Sequence, residues 1–315
     1  MLSYLFDSST APCYYGIMAG ISFLLTFFAL KFFMRFLPKD QGRQFAVNGA
    51  LSEGKPRGAG LVFITTFVLS CAIFVPMNIE RIINLVLIYA AMMTGYLDDE
   101  AKKPWGELKK GLLDAVISIG IAINFVYFND TTISFFSTSF TLPNVVYVIL
   151  GAILVWASIN VTNCSDGVDG LCGSLSIATI FLFNLLGSTY HAFNIIMIMT
   201  LLAYLCFNAS PSKLLMGDAG SRAIGVFIAI IAMQSGRPLM FIPLAIVLII
   251  DGGLGLVKLT IRRVLKAKNF MEGIRTPIHD HSRKNKGWSD TQVVMRFVIL
   301  QLFIGIVAVY LINQF

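Results

Sequence analysis

The sequence predicts an all-α polytopic membrane protein of about ten transmembrane helices, with residues 1–315 forming one domain. Three observations carry this. Of 315 residues, 57% are hydrophobic and only 13% charged. That is about half the roughly 25% charge of an ordinary soluble domain, too little polar material to cover a soluble surface. Apolar runs approaching the ~20 residues of a spanning helix recur along the chain, and Lys and Arg crowd into alternate loops. A cytosolic enzyme, a disordered chain and a secreted disulfide scaffold are thereby excluded. The net charge of +7 reads as membrane topology, with no nucleic-acid partner implied. Cys13, Cys71, Cys164, Cys172 and Cys206 show no paired or metal-type spacing and read as small apolar residues.

The expected spans are 16–36, 59–76, 82–97, 111–128, 144–161, 171–187, 192–208, 220–235, 239–260 and 292–312. The first is too long for a signal peptide and has neither a basic leader nor a small-residue cleavage pattern. Loop 35–58, with Arg35, Lys39, Arg43, Lys55 and Arg57, leads into the second. The third ends on Gly95-Tyr96-Leu97-Asp98-Asp99, and loop 98–110 adds Lys102, Lys103, Lys109 and Lys110 before the fourth. The fifth passes into a polar stretch, Asn160 to Leu171, from which the sixth starts; His191 lies in the short outer loop before the seventh. Lys213 and Arg222 flank the loop before the eighth, and Asp251 is the acid well inside a span, in the ninth. The polar stretch 263–290 is too short for a separate domain but long enough to cover a site, and it leads into the tenth. In all, 20 of the 24 Lys and Arg fall on one side, against Arg81 and Arg237 on the other. The basic side is therefore cytoplasmic and both termini lie outside, as an even number of spans requires.

Acids are costly in a membrane protein, so their placement is informative. Asp98, Asp99, Asp166, Asp169, Asp218 and Asp251 gather on the basic side, whereas Asp7, Glu80 and Asp130 are scattered over the other. Carboxylates from four distant segments beside a basic surface suit a metal-bound polyphosphate: the metal takes hard oxygen ligands and the phosphates take cations. Taken alone, Asp98-Asp99 is equally well a solvated helix end beside Lys102 and Lys103. In Asn160-Val161-Thr162-Asn163-Cys164-Ser165-Asp166-Gly167-Val168-Asp169-Gly170-Leu171 polar residues recur every third position. On an unbroken helix that stripe would drift round to the opposite face, so Gly167 and Gly170 predict an unwound turn that brings amides and carboxylates together. In Met216-Gly217-Asp218-Ala219-Gly220-Ser221, two glycines at a helix start suit an anion site, with an N-cap Asp218 as the plainer reading. His279 and His281, in Pro277-Ile278-His279-Asp280-His281, lack the further ligands zinc needs, and phosphate contact or proton handling fits them better.

Together these motifs resemble the polyprenyl-phosphate N-acetylhexosamine-1-phosphate transferase superfamily, in order and topology and over essentially the whole chain. Pro-Ile-His at 277–279 and Lys-Gly-Trp at 286–288 are similar to its muramoyl-pentapeptide branch. Three positions depart from the branch pattern. Its histidine triplet reads His279-Asp280-His281, its Thr-Pro-Thr-Met-Gly-Gly run reads Lys55-Pro56-Arg57-Gly58-Ala59-Gly60, and the aromatic expected before Met-Gly-Asp is Leu215.

The resemblance implies a bacterial inner-membrane enzyme with a cytoplasmic-face active-site cleft, ten helices and a homodimer. The implied reaction moves a phospho-sugar from a UDP-linked donor to a polyprenyl phosphate and releases UMP. For the muramoyl branch the partners are UDP-N-acetylmuramoyl-pentapeptide and undecaprenyl phosphate, which enters sideways from the bilayer. An anionic nucleophile then attacks an anionic diphosphate, so charge neutralisation dominates. Mg²⁺ would bridge the diphosphate, with Asp218 the first choice of ligand and Asp99 or Asp166 next. Asp98 deprotonates or orients the lipid phosphate, with a covalent aspartyl intermediate as the alternative. Asn160, Asn163, Asp166 and Asp169 hold donor and nucleotide, and Lys55, Lys102, His279 and His281 meet phosphates. A sister transferase using UDP-N-acetylglucosamine is the near alternative. A secondary transporter is remote, since transporters set ionisable groups near the midplane in paired repeats.

Overall fold

The computed structural model describes residues 11–40, 42, 52–101, 103, 105–187, 189–267 and 269–314. All ten expected runs are helical. The first eight are α1 (Ala11–Phe33), α2 (Gly60–Phe74), α3 (Ile79–Glu100), α4 (Glu107–Phe128), α5 (Asn144–Cys164), α6 (Leu171–Leu185), α7 (His191–Asn208) and α8 (Gly217–Gln234). Among the described residues six helices are long and apolar enough to cross a membrane, or seven if one bent pair counts as a span. α2 and α6 are apolar but, at 15 residues each, short for a crossing. A two-stranded hairpin, β1 (Thr132–Phe135) and β2 (Thr138–Thr141), adds an element the sequence did not suggest.

α8 is the hub. Every residue in it except Asp218 and Gln234 is buried, as expected of a helix apolar nearly all round. α3 and α5 pack along it most extensively, with α2 and α6 also against it. Small residues permit this close approach. A Cβ at Gly60 of α2 would fall on the Gly220 backbone, one at Gly95 of α3 on Asp218, and one at Gly225 of α8 on the Ile159 backbone of α5. The faces turned outward on α4, α5 and the last helix carry Ile119, Ile123, Ile149, Ile153, Ile299 and Phe303, as lipid contact demands.

The run expected at 239–260 is not one straight helix. α9 (Phe241–Leu244), α10 (Ile246–Leu248), a π-helical turn at Ile249–Gly253 and α11 (Leu254–Val264) follow in succession, and the segments meet at 71°. Pro243 brings no amide to the first of them. Groups freed at the break are met from the last helix, where Gln301 accepts from Val247 N at 2.9 Å and donates to Leu244 O. α12 (Ile278–Lys286) and α13 (Asp290–Asn313) complete the chain, the latter opened by a Ser289–Gln292 capping box.

The bundle has two distinct ends. At one, Glu80 is buried and receives Asn129 Nδ2 at 2.7 Å and Gln234 Nε2, while Arg81 lies over the Tyr190 and Phe193 rings. Arg237 there donates to Asn313, the final residue of α13, and the ring of His191 meets Tyr15 near the start of α1. The hairpin docks at the same end, with Ser134 N donating to Gly236 O. The carboxylate motifs lie at the opposite end.

Candidate active site

The site begins with backbone pairing. Lys39 and Pro56 form an antiparallel bridge, and Leu215 N donates to Pro56 O at 2.8 Å. Ala59 N and Gly60 N then donate to Leu215 O and Met216 O, both at 3.1 Å. The Lys55–Gly60 segment is thus laid along the entry to α8. The Gly95 contact brings the end of α3 to the same place. Asp218 caps nothing: the residue before α8 is Met216, and no side chain caps that end. Asp99 reaches the first turn instead, accepting from Ala219 N at 3.5 Å. The helix terminus attracts an anion, and here that anion is another helix's aspartate. Gly217 has φ +71°, and a Cβ there would strike Asp99 Oδ2.

Two cations hold the carboxylates. Arg57 Nη2 lies 2.7 Å from Asp99 Oδ1 and 3.8 Å from Asp218 Oδ1, and its Nη1 is 3.2 Å from Asp40 Oδ1. Burial alone would lower the Arg57 pKa, but Asp99, Asp218, Asp40 and Asp166 outweigh it and hold that pKa above its ordinary value. Lys110 of α4 pairs with Asp98 Oδ2 and stands 3.7 Å from Asp218 Oδ2. The other oxygen of Asp98 accepts from Trp105 N at 2.7 Å.

α5 ends at Cys164 and α6 begins at Leu171, so the expected unwound turn is present, with Gly170 at φ +83°. Gly170 N donates to Asn208 Oδ1, and Asn208 donates on to Leu214 O, both at 2.9 Å. The turn is thereby tied to the segment entering α8. Asp169 accepts from Ser212 N at 2.9 Å and lies 3.8 Å from Lys55, which donates to Ser212 Oγ. Across the turn, α12 delivers His279. Asp251, set by the π-helical turn, accepts from His279 N at 2.7 Å and lies 2.8 Å from its Nδ1. The far nitrogen, Nε2, faces Gly167, where a Cβ would collide with it. Arg283 bridges to Asp290 at 2.9 Å and donates to Gly167 O at 3.4 Å.

These walls enclose a cavity of about 570 Å³, lined among others by Lys55, Arg57, Asn163, Asp166, Asp169 and His279. Asp99 and Asp218 adjoin it through Arg57, and the side chains of Asp98, Asp99 and Asp218 are 5%, 1% and 18% exposed. Two expected residues are elsewhere. Asn160 turns back on its own helix to Trp156 O at 2.8 Å, because it sits one turn before the α5 end. His281 is on the other face of α12, where its Nδ1 accepts from Arg275 N at 3.4 Å. Lys102 lies outside the described residues. In the sequence Arg57 and Lys110 stand out only as topology markers, and Arg57 also as part of a motif departure. The signal for Lys110 was present, since Lys110/Asp114 and Asp218/Arg222 are opposite charges four apart within apolar runs.

Among the described residues no three His, Cys, Asp or Glu converge as a metal shell. Two carboxylates nonetheless fit Mg²⁺, which is typically bound by one or two of them together with substrate phosphates and water. Among the described residues Asp99 Oδ1 is also buried without a hydrogen bond, and it faces the Arg57 cation.

Comparison with known proteins bears on the family of the chain. Residues 81–236 match glycosyl transferase family 4. The chain is 37% identical to the phospho-N-acetylmuramoyl-pentapeptide-transferase of Treponema pallidum (strain Nichols), over 94% of this chain and 90% of that protein. It is 30% identical to the protein of that name from Clostridium acetobutylicum, over 83% and 86%. With the one from Dictyoglomus thermophilum it shares 29%, over 90% and 94%. The chain belongs to the phospho-N-acetylmuramoyl-pentapeptide-transferase family.

Proposed function

We propose that the protein transfers phospho-N-acetylmuramoyl-pentapeptide from its UDP donor to undecaprenyl phosphate, giving lipid I and UMP. The observation that carries this is the meeting of Asp99 and Asp218 with Arg57 and Lys110 at one end of a membrane bundle, next to a polar cavity that Arg57 lines. Positive charge beside carboxylates is what a reaction between two phosphate anions requires. We read that end as cytoplasmic, from the loop charges, and the protein as a ten-span homodimer of a bacterial inner membrane, as its resemblance implies.

A lipid phosphate oxygen attacks the phosphorus attached to the sugar, the bond from that phosphorus to the UMP oxygen breaks, and UMP leaves with the electron pair. Asp218 and Asp99 would hold Mg²⁺, which supplies charge neutralisation on the diphosphate when bound. Lys110 points its ammonium at the same ground from α4. Asp98 has both oxygens committed, to Lys110 and to Trp105 N. It therefore works through Lys110 as a positioning residue, and a covalent role would first have to break those bonds. Asp251 orients His279 so that Nε2 stands at the cavity wall for a phosphate oxygen. Asn163, Asp166 and Asp169 line the wall available to sugar and nucleotide, and Lys55 is held there by Asp169 and Ser212.

The test is UMP release by purified protein given undecaprenyl phosphate and a panel of UDP-sugars. Turnover with the muramoyl-pentapeptide donor and little with UDP-N-acetylglucosamine is expected. Leu215, in the cavity wall where the branch has an aromatic, is the observation favouring the sister reading. Preference for the bare amino sugar would establish that reading instead.

A further inference from the structure

Arg57 lies inside the carboxylate cluster, not at its rim. Its Nη2 faces Asp99 Oδ1 at 2.7 Å and Asp218 Oδ1 at 3.8 Å, while Nη1 is anchored 3.2 Å from Asp40. The segment carrying it is fixed on both flanks, with Arg57 N donating to Pro38 O at 2.8 Å and Leu215 N to Pro56 O. Asp40 is itself pinned by Ser52 Oγ at 2.7 Å. The guanidinium is thus delivered to this point by ordered backbone.

A divalent ion held by Asp99 and Asp218 needs their oxygens at about 2.0–2.6 Å. Arg57 already faces one oxygen of each. Two cations cannot share that gap without strong repulsion in a buried setting. Arg57 also lines the cavity, and its side chain is 21% exposed against 1% for Asp99. It has room to turn toward a ligand, whereas the buried aspartate does not. Guanidinium groups bind phosphate oxygens bidentately.

We propose that Arg57 is a resident counter-cation, which competes with the divalent metal for Asp99 and Asp218 and yields them when a diphosphate offers the guanidinium a new partner. This rests on the metal reading of the site given above. Its consequence is linkage: nucleotide diphosphate and metal each tighten the other's binding by the same factor. The aspartates stay neutralised in the resting enzyme, and the metal shell is assembled only with substrate present.

Mn²⁺ binding to the full-length protein in detergent, followed by electron paramagnetic resonance with and without UDP, tests this. The variants are Arg57→Thr, which restores the residue of the branch pattern, Arg57→Lys, and Asp218→Asn. Without UDP, Arg57→Thr should bind Mn²⁺ at least about tenfold more tightly than wild type, with Arg57→Lys in between. UDP should tighten Mn²⁺ binding more in wild type than in Arg57→Thr, because only wild type has a cation to displace. Asp218→Asn measures the chelation due to UDP alone. Thermal unfolding without metal checks that each variant is folded, and Arg57→Lys keeps the comparison open if Arg57→Thr is not. Equal Mn²⁺ affinity in folded wild type and Arg57 variants would overturn the proposal and leave the metal site standing. Failure of every folded form to bind Mn²⁺ beyond the Asp218→Asn level, with UDP present, would remove the metal reading and this proposal with it.

Discussion

Arg222 of α8 reaches Asp114 of α4 in a buried ion pair, one helical turn beyond the point where Lys110 approaches Asp218. Each helix carries its two charges four residues apart and in opposite order, so the pairs stack along the α4–α8 contact as a short ladder. The outer rung belongs to the site and the inner rung sets its register.

Removing one member of that inner rung leaves an unpaired charge among apolar side chains. Asp114→Leu or Arg222→Met should each cost about 3–5 kcal/mol, read as a large fall in unfolding temperature in detergent. Arg222 Nε is buried without a hydrogen bond, so the pair is incompletely satisfied. The double variant should therefore recover most of the lost stability. Equal instability of single and double variants would show that packing, not charge, is what the pair provides.

Gly217 and Gly236 both have positive φ, at +71° and +67°, but in different surroundings. A methyl group at Gly217 would strike Asp99, whereas space is open around Gly236. Displacement of reacting groups by about 1 Å can cost ~100-fold in rate. Gly217→Ala should lose at least that much turnover, while Gly236→Ala should lose only about 1 kcal/mol of stability and keep its activity. Steady-state kinetics and thermal unfolding on both proteins decide this.

Asp251 touches no expected substrate position, yet it holds both His279 N and Nδ1. Asp251→Asn keeps the shape and loses the charge. It should lower kcat by about 10–100-fold with KM little changed, and His279→Gln should add little on top of it. A change confined to KM would instead place this pair in donor binding.

Lys284 and Asp130 sit at opposite ends of the bundle, the first on α12 beside the cavity and the second at the hairpin. A cysteine at Lys284 should react with an impermeant thiol reagent only from the cytoplasm, and one at Asp130 only from outside. Labelling of both from one side would overturn the orientation.

What was legible in the sequence follows from what each residue needs. Helix positions were readable because a spanning segment must be apolar along its length, and the α5–α6 turn because Gly167 and Gly170 interrupt a polar stripe. The break after Leu244 was not, since its compensation comes from Gln301 on α13, 54 residues from its partner Val247. Likewise Asp98, Asp99 and Asp218 announced themselves as acids at helix ends, but their counter-ions did not. Arg57 comes from a loop whose course depends on pairing with Leu215. Lys110 comes from a helix whose rotation depends on the Arg222–Asp114 pair. Asn160 and His281 match the motif spacing but miss the cavity, because helical rotation carries them to other faces.

We propose the Asp99–Asp218 cluster as the place where the phospho-sugar is transferred. Lipid I and UMP formation should be measured from UDP-N-acetylmuramoyl-pentapeptide and undecaprenyl phosphate, with Mg²⁺ or with excess EDTA, for wild type and Asp218→Asn. Asp218 is the most exposed of the three carboxylates Asp98, Asp99 and Asp218, so the amide should leave the bundle folded. The expected result is metal-dependent turnover by wild type and a loss of about 100-fold or more in the variant, the scale of losing one electrostatic stabiliser of a transition state. Turnover by Asp218→Asn within a few-fold of wild type, or full wild-type activity in excess EDTA, would contradict it.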